Sequence, residues 1–252
     1  MSVKLINISH EPSFIENKDS KSAVIFVHGF MGSPRQFDRM ARFVYKNGFS
    51  AAVLLLPGHG KTLKDFATCT YRQWKEHVKS EIDRLSEGFD DIWLVGHSMG
   101  GLLVLSAALY PNPKVRGVFP IACPFELTFL SKADIKVRML QILGNDENIK
   151  EEYLDKNSIP RSSSLLFHAL APMVEVKKLM RATKSSLPRI RTPVTAVYSI
   201  SDELISIKSL EILKSGLAKA HFEHVVLTDS LHAYYTADEK EKIEQALLEF
   251  IS

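Results

Sequence analysis

The sequence predicts a single open α/β domain, a mostly parallel central sheet with helices on both faces, and three observations carry that expectation. Short β-rich runs alternate with helical stretches over most of the chain, the pattern left by helices that cross over between parallel strands. Several helix starts are marked by polar capping sequences and two helix ends by glycine. A turn, Gly96-His-Ser-Met-Gly100, joins an apolar run to a small-and-apolar stretch of helical character.

Taken in order, residues 3–8 and 13–15 form a short hairpin at one edge, and residues 24–27 begin the sheet proper. Ser33-Pro-Arg-Gln36 has the form of a capping box with proline at the first helical position, and Gly48 ends that helix. Residues 51–56 are the next strand. Thr70-Tyr-Arg-Gln73 opens a second capped helix that stops near Gly88. Residues 92–95 deliver the glycine-bracketed turn, and residues 101–109 continue from it as a helix. Residues 115–122 are the sixth strand, residues 194–199 and 224–227 the seventh and eighth, and Thr236-Ala-Asp-Glu239 caps the last helix. Between residues 124 and 191 the alternation fails: the stretch is helical and irregular, polar and acidic near 145–155, and lacks a convincing strand. We read residues 124–191 as a helical cap inserted in a core made of residues 1–123 and 192–252. Such a cap should fold over the C-terminal ends of the strands, where open α/β sheets bind ligands.

Composition narrows the function. At 252 residues and 45% hydrophobic, the chain can bury a sizeable core within one domain. Its 32 basic residues are interspersed with 29 acidic ones for a net charge of +3, which argues against nucleic acid as a partner. The two cysteines, Cys69 and Cys123, lie far apart without CxxC spacing, so neither a disulfide framework nor a structural metal is expected. No run approaches the roughly 20 apolar residues of a membrane span, and residues 1–16 lack the apolar heart of a secretion signal. A cytoplasmic protein is the expectation, as a monomer or homodimer.

The turn at 96–100 is where chemistry is expected. A strand that ends on Gly-x-Ser-x-Gly and runs into a helix exposes the serine on a sharp bend, with the glycines removing side chains where strand and helix meet. A serine hydroxyl needs a base within hydrogen-bond reach, and that base needs a carboxylate to orient it. Asp202 falls just past the seventh strand and His232 just past the eighth, so Ser98, Asp202 and His232 are the candidate catalytic residues. Glu203 adjoins Asp202 but should point elsewhere. His97, His168, His221 and His224 are better read as packed or solvated rings. An oxyanion would rest on two backbone amides, that of Met99 after the nucleophile and that of Phe30 in the loop His28-Gly-Phe-Met-Gly-Ser33. Gly29 and Met31 border that loop and are expected to line the substrate, and flexible Met31 and Met99 would tolerate varied acyl groups. Cys123 is read as a small buried hydrophobe, since no base accompanies it.

With these residues placed, the chain resembles an α/β-hydrolase of the carboxylesterase and monoacylglycerol lipase type. His28-Gly-Phe-Met-Gly-Ser-Pro34 is similar to that family's oxyanion loop and Leu56-Pro-Gly-His-Gly60 to its GHG turn. Gly96-His-Ser-Met-Gly-Gly101 resembles its nucleophile elbow, and Asp202-Glu-Leu-Ile205 with Ser230-Leu-His232 its acid and base loops. The resemblance implies the α/β-hydrolase fold, the same triad and oxyanion amides, a cap lining an acyl pocket, and no cofactor. Two departures stand out. Ile200 and Ser201 occupy places where the family often has glycine, and Leu231 replaces a glycine before the histidine; either change would narrow the pocket or shift His232.

The expected reaction is hydrolysis of a small ester or lipid, a short- to medium-chain acyl ester or a monoacylglycerol. The same triad also serves thioesters, amides, carbon–carbon bonds or acyl transfer, and a binding module with little turnover would keep the same fold. Lys177, Lys178, Arg181, Lys184, Arg189 and Arg191 suggest a transient contact with a membrane surface, although a solvated cap face accounts for them more simply.

Overall fold

A computed structural model of the chain describes residues 10–128 and 165–252. Seven described strands form one sheet in the order β1-β3-β2-β4-β5-β6-β7, where β1 is Ser13–Ile15, β2 Ser22–Val27, β3 Ser50–Leu54, β4 Asp91–His97, β5 Val115–Ile121, β6 Val194–Ser199 and β7 Phe222–Leu227. Every pairing is parallel except that of β1, which runs antiparallel to β3 at the edge. The expected hairpin partner of β1, residues 3–8, lies outside the described residues.

Both faces of the sheet are covered, so the central strands read as near-continuous apolar runs. In β2, Ala23, Ile25 and Val27 join one core while Val24 and Phe26 join the other, the twofold alternation of a strand. Helix α1 (Asp38–Lys46) and the C-terminal helix Ala237–Ile251 cover one face, bringing Val44, Ile243 and Leu247 against the sheet. On the other face lie α2 (Leu63–Ala67), α3 (Tyr71–Ser86), α4 (Met99–Ala107), α5 (Leu165–Ser186) and α6 (Lys208–Gly216), with the C-terminal helix numbered α7. Every residue of α4 is buried, which is why its sequence shows no polar stripe.

The strand ends differ from expectation for local reasons. Strand β3 stops at Leu54 rather than continuing to 56, because the Leu56 amide turns to donate to His28 Nε2 at 3.0 Å. Strand β7 begins at Phe222, two residues early; as an edge strand it can leave Glu223 and His224 in solvent.

Of the three expected capping boxes only Thr70 with Gln73 forms one. Ser33 makes no side-chain cap, and the segment after it is a 3₁₀ turn, Pro34–Phe37, that leads into α1. Thr236 also makes no side-chain cap. In both failed boxes the third residue has a better partner elsewhere: Gln36 faces Gly29 and His97, and Glu239 faces residues 228–230. A box not anticipated, Thr62 with Asp65, opens α2. Gly48 sits just past α1 at φ 96°, as a helix-ending glycine should.

The expected cap is described only in part. Residues 129–164 lie outside the described residues, and the boundary at 124 is therefore untested. Residues 125–128 pair with the loop after β6, through Ser206 N–H to the Glu126 carbonyl and Thr128 N–H to the Leu204 carbonyl. Helix α5 rests on α4, where Ser106 and Thr183 hydroxyls meet at 3.0 Å. Its basic residues Lys177, Lys178, Arg181 and Lys184 are exposed, and Lys178 pairs with Glu175. No described helix is long and apolar enough to cross a membrane.

Under the strand ends sits a group of buried histidines. His28 donates from Nδ1 to the Gly29 carbonyl and accepts the Leu56 amide on Nε2, so its ring is neutral. His59 packs edge-on against His28 and Phe66, and among the described residues no partner reaches its Nε2. Burial pushes His28 well below 6.5 and His59 down to about 4, while His77 is lowered for the same reason. Unfolded imidazoles take up a proton near 6.5, so on acidification the unfolded state binds protons the native state refuses. Stability therefore falls as pH drops from 6.5 toward 4, with His59 alone worth about 3 kcal/mol at the acid end. Melting temperatures across that interval should decline steeply in the wild type and less steeply in His59→Phe. The phenyl ring keeps the edge contacts, and the Pro57 carbonyl retains its bond from Trp74 Nε1.

Candidate active site

Strand order reverses between β3-β2 and β4, and ligands of open α/β sheets bind in the crevice that such a reversal opens beyond the strand ends. The turn after β4 and the loop after β2 both end there.

Ser98 sits between β4 and α4 at φ 53° and ψ −118°, a conformation that side-chain-bearing residues seldom adopt. Its amide is tied to the Ile121 carbonyl at 2.8 Å. The bend needs both flanking glycines. A Cβ on Gly96 would fall on the Gly100 carbonyl, and one on Gly100 would fall on the Val27 carbonyl. The hydroxyl stands at the N-terminus of α4, where the helix dipole favours negative charge.

His232 and Asp202 arrive from the loops after β7 and β6. Ser98 Oγ lies 3.0 Å from His232 Nε2, and His232 Nδ1 lies 2.9 Å from Asp202 Oδ2. The other carboxylate oxygen, Asp202 Oδ1, accepts the amides of Leu204 and Ile205, each at 2.8 Å. With Oδ1 so held, Oδ2 faces the imidazole, and the Nδ1 proton is fixed toward Asp202. Nε2 is then free to accept from the serine. The carboxylate and the imidazole of this line are both nearly dry: the Asp202 and His232 side chains are 3% and 10% exposed.

Electrostatics follow the geometry. Burial alone would lower His232, but the Asp202 charge and hydrogen bond outweigh it, with Glu203 adding to them, and leave it above 6.5. Burial would raise Asp202, yet the imidazole and the two backbone amides bring it below the usual carboxylate value. Read as a base, which works only when neutral, His232 would set the acid limb of kcat/KM above pH 6.5. Glu203→Gln removes one of the charges that hold a proton on His232 and should move that limb to lower pH, as a pH-rate profile would register.

Glu203 is placed differently from Asp202: its Oε2 accepts the backbone amide of His232 at 2.9 Å. The two adjacent carboxylates thus divide the histidine, one taking the ring and the other the main chain. Glu239 on α7 holds the same loop from below, accepting the amides of Thr228 at 2.6 Å and Asp229 at 3.3 Å and the Ser230 hydroxyl. Sequence reading passed over Glu203 and Glu239 as functional supports. Nothing in their local pattern distinguishes them from a solvated acid and a helix cap.

The amides expected to receive an oxyanion, those of Phe30 and Met99, hold no hydrogen bond to another described residue. Gly29 N–H is different, since it donates to Gln36 Oε1. Space explains the glycine here: a Cβ on Gly29 would stand 3.2 Å from the Ser98 Cβ. Met31, at φ 61°, packs with Phe66 and Ala169, while Phe30 meets Phe66 at 5.2 Å between ring centroids. That cluster makes an apolar wall beside the serine's loop. The Met99 side chain is fully buried in the main core, so the expectation that it adapts to the acyl group is corrected: only its backbone faces the bend.

The departures at 200 and 231 do not part the three side chains. Ile200 is exposed, Ser201 donates its hydroxyl to the Thr228 carbonyl, and Leu231 N–H donates to the Tyr234 carbonyl. Cys123 is fully buried against Gly101, and burial drives its thiol well above 9, which suits an inert packing residue. Among the described residues no cluster of three or more His, Cys, Asp or Glu is arranged to hold a metal ion.

Known proteins agree with this architecture. A thermostable monoacylglycerol lipase from Bacillus sp. (strain H-257) is 26% identical over 96% of this chain and 94% of its own length. A carboxylesterase of Bacillus subtilis (strain 168) is 21% identical over 93% and 94%. Among solved structures, the monoacylglycerol lipase of Paleococcus ferrophilus superposes with a TM-score of 0.71 at 17% identity, covering 95% of this chain and 97% of that one. Residues 24–229, which hold the elbow and both loops just described up to Asp229, match the model of the alpha/beta hydrolase family, and the chain belongs to that family.

Proposed function

We propose that this protein is a serine carboxylester hydrolase that works through an acyl-enzyme on Ser98. The observation that carries the reading is the continuous hydrogen-bonded line from Ser98 through His232 to Asp202, at 3.0 and 2.9 Å, set beside two uncommitted amides. In the first half of the cycle His232 Nε2 takes the Ser98 proton as Oγ attacks the ester carbonyl, and the oxyanion is received by the amides of Phe30 and Met99. The C–O bond then breaks, and the departing alcohol leaves with the proton from His232. Water repeats the sequence to release the acid and restore the serine. Asp202 stays ionised throughout, orienting the imidazole and stabilising its protonated form.

For substrate we favour short- to medium-chain acyl esters or monoacylglycerols. Phe30, partly exposed and backed by buried Met31, Phe66 and Ala169, offers an apolar acyl chain a surface, and relatives bearing the names monoacylglycerol lipase and carboxylesterase align over nearly the whole chain. The test is multiple-turnover hydrolysis of p-nitrophenyl esters graded from acetate to palmitate, run beside a matched monoacylglycerol series. Sustained turnover that peaks at one chain length supports the reading and measures the depth of the acyl site. A single-turnover burst, or no turnover with any ester, overturns it.

A further inference from the structure

Gln36 connects the two halves of the site. Its Oε1 lies 3.1 Å from Gly29 N, its Nε2 lies 2.8 Å from His97 Nδ1, and His97 Nε2 lies 2.8 Å from the carbonyl oxygen of His232. The directions of these bonds follow from what each atom can do. A backbone N–H only donates, so the Gln36 oxygen must face Gly29. Its amino group must then face His97, making Nδ1 the acceptor. The remaining ring proton of a neutral His97 is on Nε2, pointed at a carbonyl that only accepts. One chain of donors and acceptors therefore runs from the oxyanion loop, through the residue before the nucleophile, to the backbone of the general base. The His97 ring is packed 4.9 Å from that of His232 and 6.2 Å from that of Tyr235, whose hydroxyl also reaches the His232 carbonyl at 3.3 Å.

We propose that Gln36, acting through His97, is a positioning residue that keeps the Phe30 amide and the His232 imidazole in register about Ser98. The inference rests on the hydrolase reading above. The Gly29 carbonyl, in the peptide unit that carries the Phe30 amide, is held by Gly32 N–H and His28 Nδ1–H, and the Gln36 bond to Gly29 N–H holds the preceding peptide unit, so both units flanking Gly29 are fixed. On the far side, Glu203 holds the His232 amide while His97 holds its carbonyl, which leaves the imidazole little freedom to leave the serine. Misplacement of reacting groups by about 1 Å can cost on the order of 10²-fold in rate without touching substrate affinity. Loss of the link should accordingly appear in kcat and not in KM.

Two substitutions separate the link from its parts. Gln36→Leu removes both bonds at similar volume. Gln36→Glu keeps an oxygen for Gly29 N–H but sets an acceptor against His97 Nδ1, so the link survives only when His97 carries protons on both nitrogens. Among the described contacts, the groups that face this ring are Gln36, His232 and Tyr235, with Asp202 and Glu203 behind His232. For each protein we would measure the rate at which a fluorophosphonate labels Ser98, and kcat and KM for p-nitrophenyl butyrate per active site, across pH and beside the melting temperature.

Gln36→Leu is expected to label and turn over roughly 10- to 100-fold slower at an unchanged KM and a near-native melting temperature. Gln36→Glu should match it at alkaline pH and recover relative to the wild type as pH falls. The proposal is overturned if Gln36→Leu stays within about twofold of the wild type, or if its loss is accounted for by unfolded protein. It is equally overturned if Gln36→Glu follows the wild type at every pH, since the role would then end at Gly29. A wild type that labels but cleaves no ester sinks the ester reading alone, because the labelling rates still decide the link. A wild type inert to both removes the two together.

Discussion

Ser98→Ala is expected to lower kcat toward a p-nitrophenyl ester by roughly 10⁴- to 10⁶-fold, with little change in melting temperature. In the proposed mechanism the hydroxyl is the atom that forms the acyl-enzyme, and no neighbouring group among the described residues replaces it. Cys123 is the nearest thought of a substitute, but it is fully buried and its thiol is held protonated. Alanine can take the same backbone conformation, and the amide tie to Ile121 does not involve the side chain. Adding His232→Ala to Ser98→Ala should cost almost nothing more, because the base has no role once its partner is gone. Steady-state assays of the two single variants and the double variant would check this. Residual turnover above about a tenth of wild type in Ser98→Ala, or additive losses in the double variant, would contradict the mechanism.

Gly100→Ala should have the largest effect on stability. The added methyl would fall on the Val27 carbonyl and within 2.8 Å of the His28 carbonyl, where β2 lies near the middle of the sheet. Neither carbonyl can retreat, since β2 is paired on both sides, to β3 and to β4. Relief must come from tilting α4, whose every residue is packed in the core. A cost on the order of 4 kcal/mol or more follows from this kind of overlap, which for a chain of this length is a fall in melting temperature of about 10 °C. Gly88→Ala is the control: nothing lies within 4 Å of its added Cβ, and it should remain within about 0.5 kcal/mol of the wild type. Thermal melts of the pair give the answer, and a Gly100→Ala variant that melts like the wild type would mean the elbow is not as tightly closed as the contacts require.

These two cases sit at the same place in the chain, and that place was legible in the sequence because its constraint is local. The bend at 96–100 demands glycine at both ends whatever surrounds it, so the motif reports the geometry directly. The strands were legible for a related reason. Residues buried on both faces of a parallel sheet must be apolar without interruption, and β2 through β6 carry that signature. The order of serine, acid and base along the chain could likewise be read from their positions just past strand ends, and those three side chains do meet.

What the sequence by itself determined, then, was the sheet, the elbow and the three residues converging on it, since each follows from constraints acting over a few neighbouring positions. The tertiary structure alone decided which partner a polar side chain takes. Gln36 and Glu239 both occupy the third position of a sequence that resembles a capping box, and the local alternative in each case is a bond to a backbone amide three residues back. The fold offers each a stronger set: for Glu239 the amides of two loop residues and a hydroxyl, for Gln36 an amide on one side and an imidazole on the other. A buried donor or acceptor left unpaired costs more than a surface cap returns, so the long-range partners win. His97 lies 61 residues from Gln36 and itself meets His232 across 135, over a sheet whose strand order is invisible to any local pattern, and only the assembled sheet brings these groups within reach.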